Sequence, residues 1–435
     1  MYEFVRQLYP ICRSITGNGV RETLRIIGQR VPLQIREVPT GTKVFDWTIP
    51  REWNIRDAWV KDPSGRKIIE LRNSNLHVVS YSVPVHKKLS LPELKKHLHS
   101  LPELPHLIPY RTSYYQATWG FCLSHNQQRE LVEGEYEVFI DSSLEDGHLS
   151  FGEYLLKGQT TEEVLLSCHV CHPSLANDNL SGVALATALA QLLEGYDRRY
   201  SYRFLFVPGT IGAITWLALN EDFIRQIKCG LVVALVGDRG KLTYKKSRQR
   251  CAEIDQAALH VLGHSGAAYE VQDFSPYGYD ERQYCSPGID LAVGSLTRTP
   301  YGRYLEYHTS GDNLDFLSAD ALEDSLQAYL SILHVVDTNR RYRNQYPKCE
   351  PQLGRRGLYS ELGGQSDGKE LEMALLWVLN FSDGEHSILD IAARSGKPFA
   401  QLARAARLLE RAGLLKESME REEIRGVERP IESGG

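Results

Sequence analysis

The sequence has no apolar run long enough to cross a lipid bilayer. Its 435 residues have a mean hydropathy of −0.34. Apolar stretches such as Leu231 to Val236 fall far short of the roughly 20 residues that a membrane-spanning helix needs. The N-terminal segment is interrupted by Glu3, Arg6 and Pro10, unlike the apolar core of a secretory signal. We therefore expect no membrane partner.

Cysteine and excess charge are also scarce. Eight cysteines in a chain of this length do not form the dense disulfide framework of a small secreted protein, so a cytoplasmic location is expected. Lys and Arg number 50 against 55 Asp and Glu, which leaves a net charge of −5 and no broad basic surface for nucleic acid. Hydrophobic residues make up 42%, which is sufficient for a large core.

The pattern of strands and helices divides the chain into four parts. Residues 1–45 and 150–345 alternate buried strands with helices, which predicts an α/β domain with a mainly parallel sheet. Residues 46–149 contain short alternating runs separated by turn formers, which indicates an inserted β-rich domain. Residues 346–368 have the composition of a linker, and residues 369–435 have the helix order of a winged helix-turn-helix domain.

The C-terminal part carries little positive charge for a DNA-binding domain. From Lys369 onward there are ten Lys and Arg against twelve Asp and Glu. The helix that would recognise DNA contains Arg404, Arg407 and Arg411, whereas DNA binding normally requires a clear basic face. We therefore expect this domain to serve in packing or homo-oligomer formation rather than in binding nucleic acid.

The densest group of polar side chains follows the first strand predicted for the parallel sheet. His169 ends that strand, His172 lies in the next turn, and Asp178 precedes an apolar helix. Sites in such sheets form beyond the carboxyl ends of the strands, and zinc accepts imidazole and carboxylate ligands. The pattern favours a metal site. The competing interpretation is that Asp178 caps the helix and the histidines are ordinary loop residues.

Two later segments complete the set, Tyr279-Asp-Glu-Arg282 and Glu306-Tyr-His308. Together with Asn177-Asp-Asn-Leu-Ser-Gly182, they resemble the co-catalytic zinc aminopeptidase family. That family has an α/β sandwich fold around a mixed, mainly parallel sheet. The chain is also similar to a bacterial subgroup, the aminopeptidase-like proteins of polysaccharide biosynthesis. That subgroup combines an inserted β-rich domain with a C-terminal winged helix.

The resemblance implies a zinc centre with one or two divalent ions. It implies that His169 binds one metal, that Asp178 bridges two and that His308 binds the other. His172 is an alternative to His169, and Asp238 is a candidate replacement for a further aspartate ligand. The implied activity is hydrolysis of a peptide-like amide bond in a small substrate.

The chain departs from the family at the paired glutamates that follow the next strand. One of these is the general base and the other a metal ligand, but this chain has Gly209 and Thr210 there, although the subgroup usually has a glutamate at the first position. Glu306 and Glu281 are the candidate substitute bases. A glutamate at position 209 is therefore expected to raise hydrolysis.

The missing carboxylates leave three functions open. A single-metal hydrolase is the leading one. The alternatives are a hydrolytically silent ligand-binding protein on the same scaffold and a DNA-binding regulator that senses a ligand.

A further group of side chains is expected to surround the pocket and bind substrate. Its members are Asp280, Arg282, Arg298, Arg248 and Tyr307. Arginine suits the recognition of a carboxylate or phosphate, whereas the competing interpretation is that these are solvated loop charges.

Overall fold

The computed structural model describes residues 1–358 and 366–418 of the chain. They form two compact units, one of residues 1–255 and 266–330 and the other of residues 256–265 and the described part of 331–435. Residues 359–365 of the predicted linker and 419–435 of the predicted winged-helix domain lie outside the described residues. Within the described ranges, no helix is both long and apolar enough to span a membrane.

An eight-stranded mixed sheet is the framework of the first unit. Its strands are β1 Gln34–Pro39, β2 His148–Leu156, β3 Glu163–His169, β4 Ser201–Val207, β5 Ile227–Val233, β6 Leu242–Lys245, β7 Tyr269–Gln272 and β8 Val293–Thr297. The order across the sheet is β1-β2-β4-β3-β5-β8-β6-β7. Strands β4, β3, β5 and β8 are parallel, whereas β1, β2 and β6 add antiparallel pairings. Every residue of the central strand β3 is buried, as expected for a strand covered on both faces.

Helices connect and flank the strands. They are α1 Tyr2–Leu8, α2 Asn18–Ile27, α3 Gly182–Glu194, α4 Ile211–Leu219, α5 Glu253–His264, α6 Glu281–Tyr284 and α7 Ala319–Thr338. Helix α3 follows β3, and α4 follows β4, so the loops that begin both helices emerge at the carboxyl ends of parallel strands. A mixed, mainly parallel sheet with helices between its strands is the α/β architecture expected from the sequence.

A second sheet lies within residues 46–149. It is antiparallel, with the strand order Lys67–Glu70, Glu52–Lys61, Glu135–Glu145 and Val85–Ser90. Its apolar face packs on a separate core that includes Val60, Phe121 and Val138, all fully buried. The segment also contains two short α-helices, Leu91–Leu94 and His125–Arg129. The segment is β-rich as expected, and its exact boundaries stay a prediction.

The second unit contains the helices and sheet of a winged helix. Its helices are α8 Ser366–Phe381, α9 Ile388–Ser395 and α10 Phe399–Arg411, and its strands are Arg341–Asn344, Asp383–Ser387 and Leu415–Glu417. Helix α9 begins at a capping box formed by Ser387 and Asp390, and it ends at Gly396, whose φ of 69° is left-handed.

The charges on helix α10 predict weak or absent DNA binding. Arg404, Arg407 and Arg411 are exposed, but Glu410 is exposed beside them. The excess of positive charge on this face is therefore small, and the C-terminal part as a whole is net acidic, whereas binding to several phosphates requires a broad basic face. In a gel-shift assay at low salt, the intact protein should give no retarded complex with duplex DNA. A complex that Arg404→Ala and Arg407→Ala abolish would contradict this prediction.

Candidate metal centre

The segment between β3 and α3 places its polar side chains beyond a buried strand end. Strand β3 ends at His169, and residues Ala176–Ser181 then form a kinked turn, with non-helical φ and ψ angles at Asp178 and Asn179, that leads into α3. The peptide bond between Asp178 and Asn179 in this turn is cis. Asp178 is 0% exposed, so its carboxylate is not a solvated helix cap.

The carboxylate of Asp178 contacts two imidazoles from distant parts of the chain. Its Oδ1 lies 2.7 Å from Nε2 of His169, and its Oδ2 lies 3.0 Å from Nε2 of His308. Ligand-capable atoms of His169, His172 and Asp178 all lie within 4.8 Å of one another. The ring of His172 lies 5.2 Å from that of His308, centroid to centroid. We call these four residues the Asp178 cluster. Its donor set suits a divalent ion such as zinc.

The protonation states of Asp178 and His172 favour metal binding. Burial alone would raise the pKa of Asp178, but His172 and the hydrogen bonds from His169 and His308 hold that pKa well below its usual range. Burial lowers the pKa of His172 to about 3, against the opposing pull of Asp178. At neutral pH the His172 imidazole is neutral, so the hydrogen bonds from His169 and His308 keep the Asp178 carboxylate ionised there. An ionised carboxylate and a neutral imidazole are the forms that bind metal.

Two side chains hold His169 in place. The Nδ2 group of Asn179 donates to the carbonyl oxygens of His169 and Val233 at 3.2 and 3.1 Å, and it lies 3.3 Å from Nδ1 of His169. The ring of Tyr279 stacks on the His169 imidazole with centroids 3.8 Å apart. Such contacts fix the orientation of a ligand histidine.

Asp312 joins the two halves of the cluster. Its Oδ1 accepts the backbone N–H of Asn177 at 2.6 Å, and its Oδ2 accepts that of Asp178 at 3.0 Å. Its own carbonyl accepts the N–H of Ala176 at 3.0 Å. Because Asp312 follows His308 by four residues, it ties the His308 loop to the turn that carries Asp178. This role of Asp312 follows from the folded structure.

The structure does not bring Asp238 into the cluster. Its Oδ1 accepts from the N–H of Gly240 at 2.7 Å and from the hydroxyl of Thr299 at 2.6 Å. Its Oδ2 accepts from Nδ2 of Asn177 and the N–H of Thr299, both at 3.1 Å. Both oxygens therefore hold neighbouring loops together, in contrast to the expected ligand role.

The two candidate bases differ in their surroundings. Glu281 is fully buried, lies 2.8 Å from Nζ of Lys245 and accepts the N–H of Tyr279 at 3.0 Å. It therefore anchors a loop, and its expected role as a base stays a prediction. Glu306 is only partly buried, and its carbonyl accepts the N–H and hydroxyl of Thr309 at 3.0 and 2.8 Å. Glu306 stays a prediction.

The position of the missing glutamate is filled by another side chain. A Cβ atom at Gly209 would lie 1.8 Å from the hydroxyl oxygen of Tyr279. The expectation that Gly209→Glu raises hydrolysis stays a prediction, and in this arrangement the new side chain has room only if Tyr279 moves. The next residue, Thr210, donates its backbone N–H to Oδ1 of Asp280 at 2.7 Å.

Two of the expected substrate arginines are engaged elsewhere. Arg298 is buried, lies 2.8 Å from Asp324 and donates to the carbonyl of Gly240 at 2.9 Å. Arg248 lies 2.7 Å from Asp290 at the surface. The guanidinium groups of both residues therefore contact carboxylates outside the Asp178 cluster, and their expected role in substrate binding stays a prediction.

The other expected substrate residues lie closer to the cluster or its loops. The ring of Tyr307 stacks on His308 with centroids 4.0 Å apart. Asp280 is buried beside Thr210, and burial raises its pKa to about 7. Arg282 is partly buried, and its Nε has no hydrogen-bond partner among the described residues.

Sequence reasoning missed the contribution of the inserted segment. Tyr110 donates its backbone N–H to the carbonyl of His308 at 2.8 Å, and Ser310 donates to Ile108 at 2.8 Å. The ring of Tyr110 contacts those of His172 and His308, with centroids 5.3 and 5.2 Å away. The richness of the segment in aromatic residues was the available signal, but it did not indicate which tyrosine meets the cluster.

Solved structures establish the class of fold. A zinc aminopeptidase from Bacillus subtilis matches with a TM-score of 0.56 at 12% identity, over 77% of this chain and 93% of that chain. An aminopeptidase from Aneurinibacillus sp. strain AM-1 matches with a TM-score of 0.50 at 12% identity, over 77% and 92%. The first unit therefore has an aminopeptidase-like fold.

Nearer relatives establish the family. A family model described as a domain of unknown function, DUF4910, matches residues 2–339, and a winged helix-turn-helix model matches residues 340–417. The chain is therefore a member of the DUF4910 family with a C-terminal winged helix.

The relatives include proteins from Clostridium acetobutylicum. One, provisionally named a polysaccharide biosynthesis protein with aminopeptidase-like domain, is 54% identical over 416 residues, 96% of each chain. A crystal structure from the same organism, provisionally described as a peptidase, matches with a TM-score of 0.91 and 53% identity, over 96% of this chain and 95% of that chain. The resemblance to aminopeptidase-like proteins of polysaccharide biosynthesis is thus confirmed.

Asp312→Asn should weaken metal binding, although Asp312 is not itself a proposed metal ligand. The amide would present an NH2 group to one of the two N–H donors of Asn177 and Asp178, so the turn would shift. Loss of an outer contact of this kind typically lowers metal affinity by about 10–100-fold. Zinc affinity measured by competition with a chelator tests this, with Asp315→Asn at an exposed position as the control. Equal affinity in both folded variants would contradict the role given to Asp312.

Proposed function

We propose that this chain is a metal-dependent hydrolase of peptide-like amide bonds in a small substrate. The observation that supports the proposal most is the fully buried Asp178 carboxylate, which contacts His169 and His308 with His172 nearby. The aminopeptidase-like fold and the name of the Clostridium acetobutylicum relative support the same class of activity.

The cluster fits a divalent ion by its chemistry. Burying an ionised carboxylate costs several kcal/mol unless positive charge compensates it. Asp178 and His308, with His169 or His172, would hold the ion. When bound, such an ion would polarise the substrate carbonyl and lower the pKa of a water molecule. Because Gly209 and Thr210 supply no carboxylate, we propose one tightly held ion, zinc first among the candidates.

The chain's own side chains restrict what reaches the cluster. The side chains of Asp178 and His169 are 0% exposed, whereas that of His308 is 33% exposed, so a substrate approaches from the His308 side. The rings of Tyr110 and Tyr307 lie against His308 on that side. This crowding supports a small substrate with an apolar or aromatic part. Glu306, in the same loop, is the candidate to accept the proton.

One observation favours a second function, that of a hydrolytically silent ligand-binding protein. Tyr279 fills the space beside Gly209, where the family's general base would lie. General base catalysis typically contributes about 10²–10⁴-fold to the rate. A site without that base binds an amide ligand and turns it over slowly or not at all.

Hydrolysis and metal content should fall together when Asp178 is replaced. We expect slow turnover of aminoacyl anilides by the zinc-loaded protein, and loss of both turnover and most of the metal in Asp178→Ala. Glu306→Gln should keep the metal and lose on the order of 10²-fold in turnover. The measurements are metal analysis and anilide release.

Each contrary result has its own meaning. Unchanged metal content in a folded Asp178→Ala protein would rule out this cluster as the metal site. Bound metal without turnover of any amide would favour the binding protein.

A further inference from the structure

Gly209 and Tyr279 compete for the same volume. A Cβ atom at position 209 would lie 1.8 Å from the Tyr279 hydroxyl oxygen, 2.4 Å from Cζ and 2.5 Å from Cε1. Such distances are far inside van der Waals contact, so one of the two residues would have to move. The φ angle of Gly209 is not left-handed. Glycine is therefore needed here for space and not for its backbone freedom.

The ring of Tyr279 cannot move away without cost. It stacks on His169 with centroids 3.8 Å apart and on Tyr301 with centroids 5.6 Å apart. Its backbone N–H donates to Glu281, which pairs with Lys245 in the interior. Separating the two members of a buried ion pair strongly destabilises a protein. The pair of Glu281 and Lys245 therefore holds the loop that carries Tyr279 in place.

Cys171 occupies the junction between the two residues and the cluster. Its Sγ accepts the backbone N–H of Gly209 at 3.2 Å and lies 3.6 Å from the Tyr279 hydroxyl. The same sulfur lies 3.6 Å from Nδ1 of His172. A displacement at Gly209 would therefore shift His169 through the ring of Tyr279, and it would shift His172 through the thiol of Cys171.

We infer that Tyr279 is a positioning residue for the ligand His169, and that it requires glycine at position 209, so the two positions form one coupled pair. The positioning role rests on the proposed metal site, whereas the packing of the pair does not. One consequence concerns catalysis. A carboxylate at position 209 and the present placement of Tyr279 exclude each other, so a base can be added only when Tyr279 is shortened.

A double-mutant cycle tests the pair. It uses Gly209→Ala, Tyr279→Ala and their combination, with Gly288→Ala as the control, because a Cβ at Gly288 meets nothing within 4 Å. The readouts are the melting temperature without metal, zinc affinity by chelator competition and the visible spectrum of the cobalt-loaded protein, which reports ligand geometry.

We expect Gly209→Ala to lower the melting temperature, to weaken zinc binding by about 10–100-fold and to alter the cobalt spectrum. Gly288→Ala should do none of these. In the Tyr279→Ala background, Gly209→Ala should have no further effect beyond about two-fold, because the clash is gone. Tyr279→Phe should leave Gly209→Ala damaging, because Cζ and Cε1 remain. If Gly209→Ala fails to fold, recovery of the fold in the double variant supports the pair equally.

Four results would overturn the inference or part of it. Additive effects of the two substitutions, or a Gly209→Ala protein that matches Gly288→Ala, would show that the positions are not coupled. A Tyr279→Ala protein with unchanged zinc affinity and cobalt spectrum would limit Tyr279 to a structural role. Absence of zinc binding in the unaltered chain would remove the proposed function and the positioning role, while the metal-free melting temperatures would still decide the coupling.

Discussion

The buried carboxylate of Asp178 is the constraint on which the rest of this site depends. An ionised group with no exposure must be compensated, because its desolvation penalty is several kcal/mol. The contacts to His169 and His308 supply part of that compensation, and a bound cation would supply the remainder. The fold serves this requirement by bringing a strand end, the turn that carries Asp178 and a loop 130 residues further along the chain to one point.

The same constraint explains why outlying parts of the chain are tied to the cluster by backbone hydrogen bonds. Asp312 holds the turn through two N–H groups, and Tyr110 of the inserted segment pairs with the carbonyl of His308. These bonds place whole loops, so they determine where the ligand side chains can lie. The inserted segment therefore forms part of the site's wall as well as a separate β-sheet.

The sequence predicted those parts of the site that follow from local pattern. His169 was predictable because a buried strand of a parallel sheet ends there, and His308 because its motif resembles a known family. The roles of Asp238 and Arg298 were not predictable, because charge in a sequence does not reveal its partner. Thr299 donates to Asp238, and Asp324 pairs with Arg298. Only the folded chain brings these partners together. The role of Tyr279 was not predicted, because it depends on the space that Gly209 leaves by lacking a side chain.

The most direct test of the metal centre is a crystal structure of the zinc-loaded protein with anomalous data collected on both sides of the zinc absorption edge. We expect one strong anomalous peak within bonding distance of Asp178 and His308, with His169 or His172 as the third ligand. Crystals grown with zinc that show no peak at Asp178, or a peak held by other side chains while Asp178 keeps only its hydrogen bonds to the histidines, would contradict it.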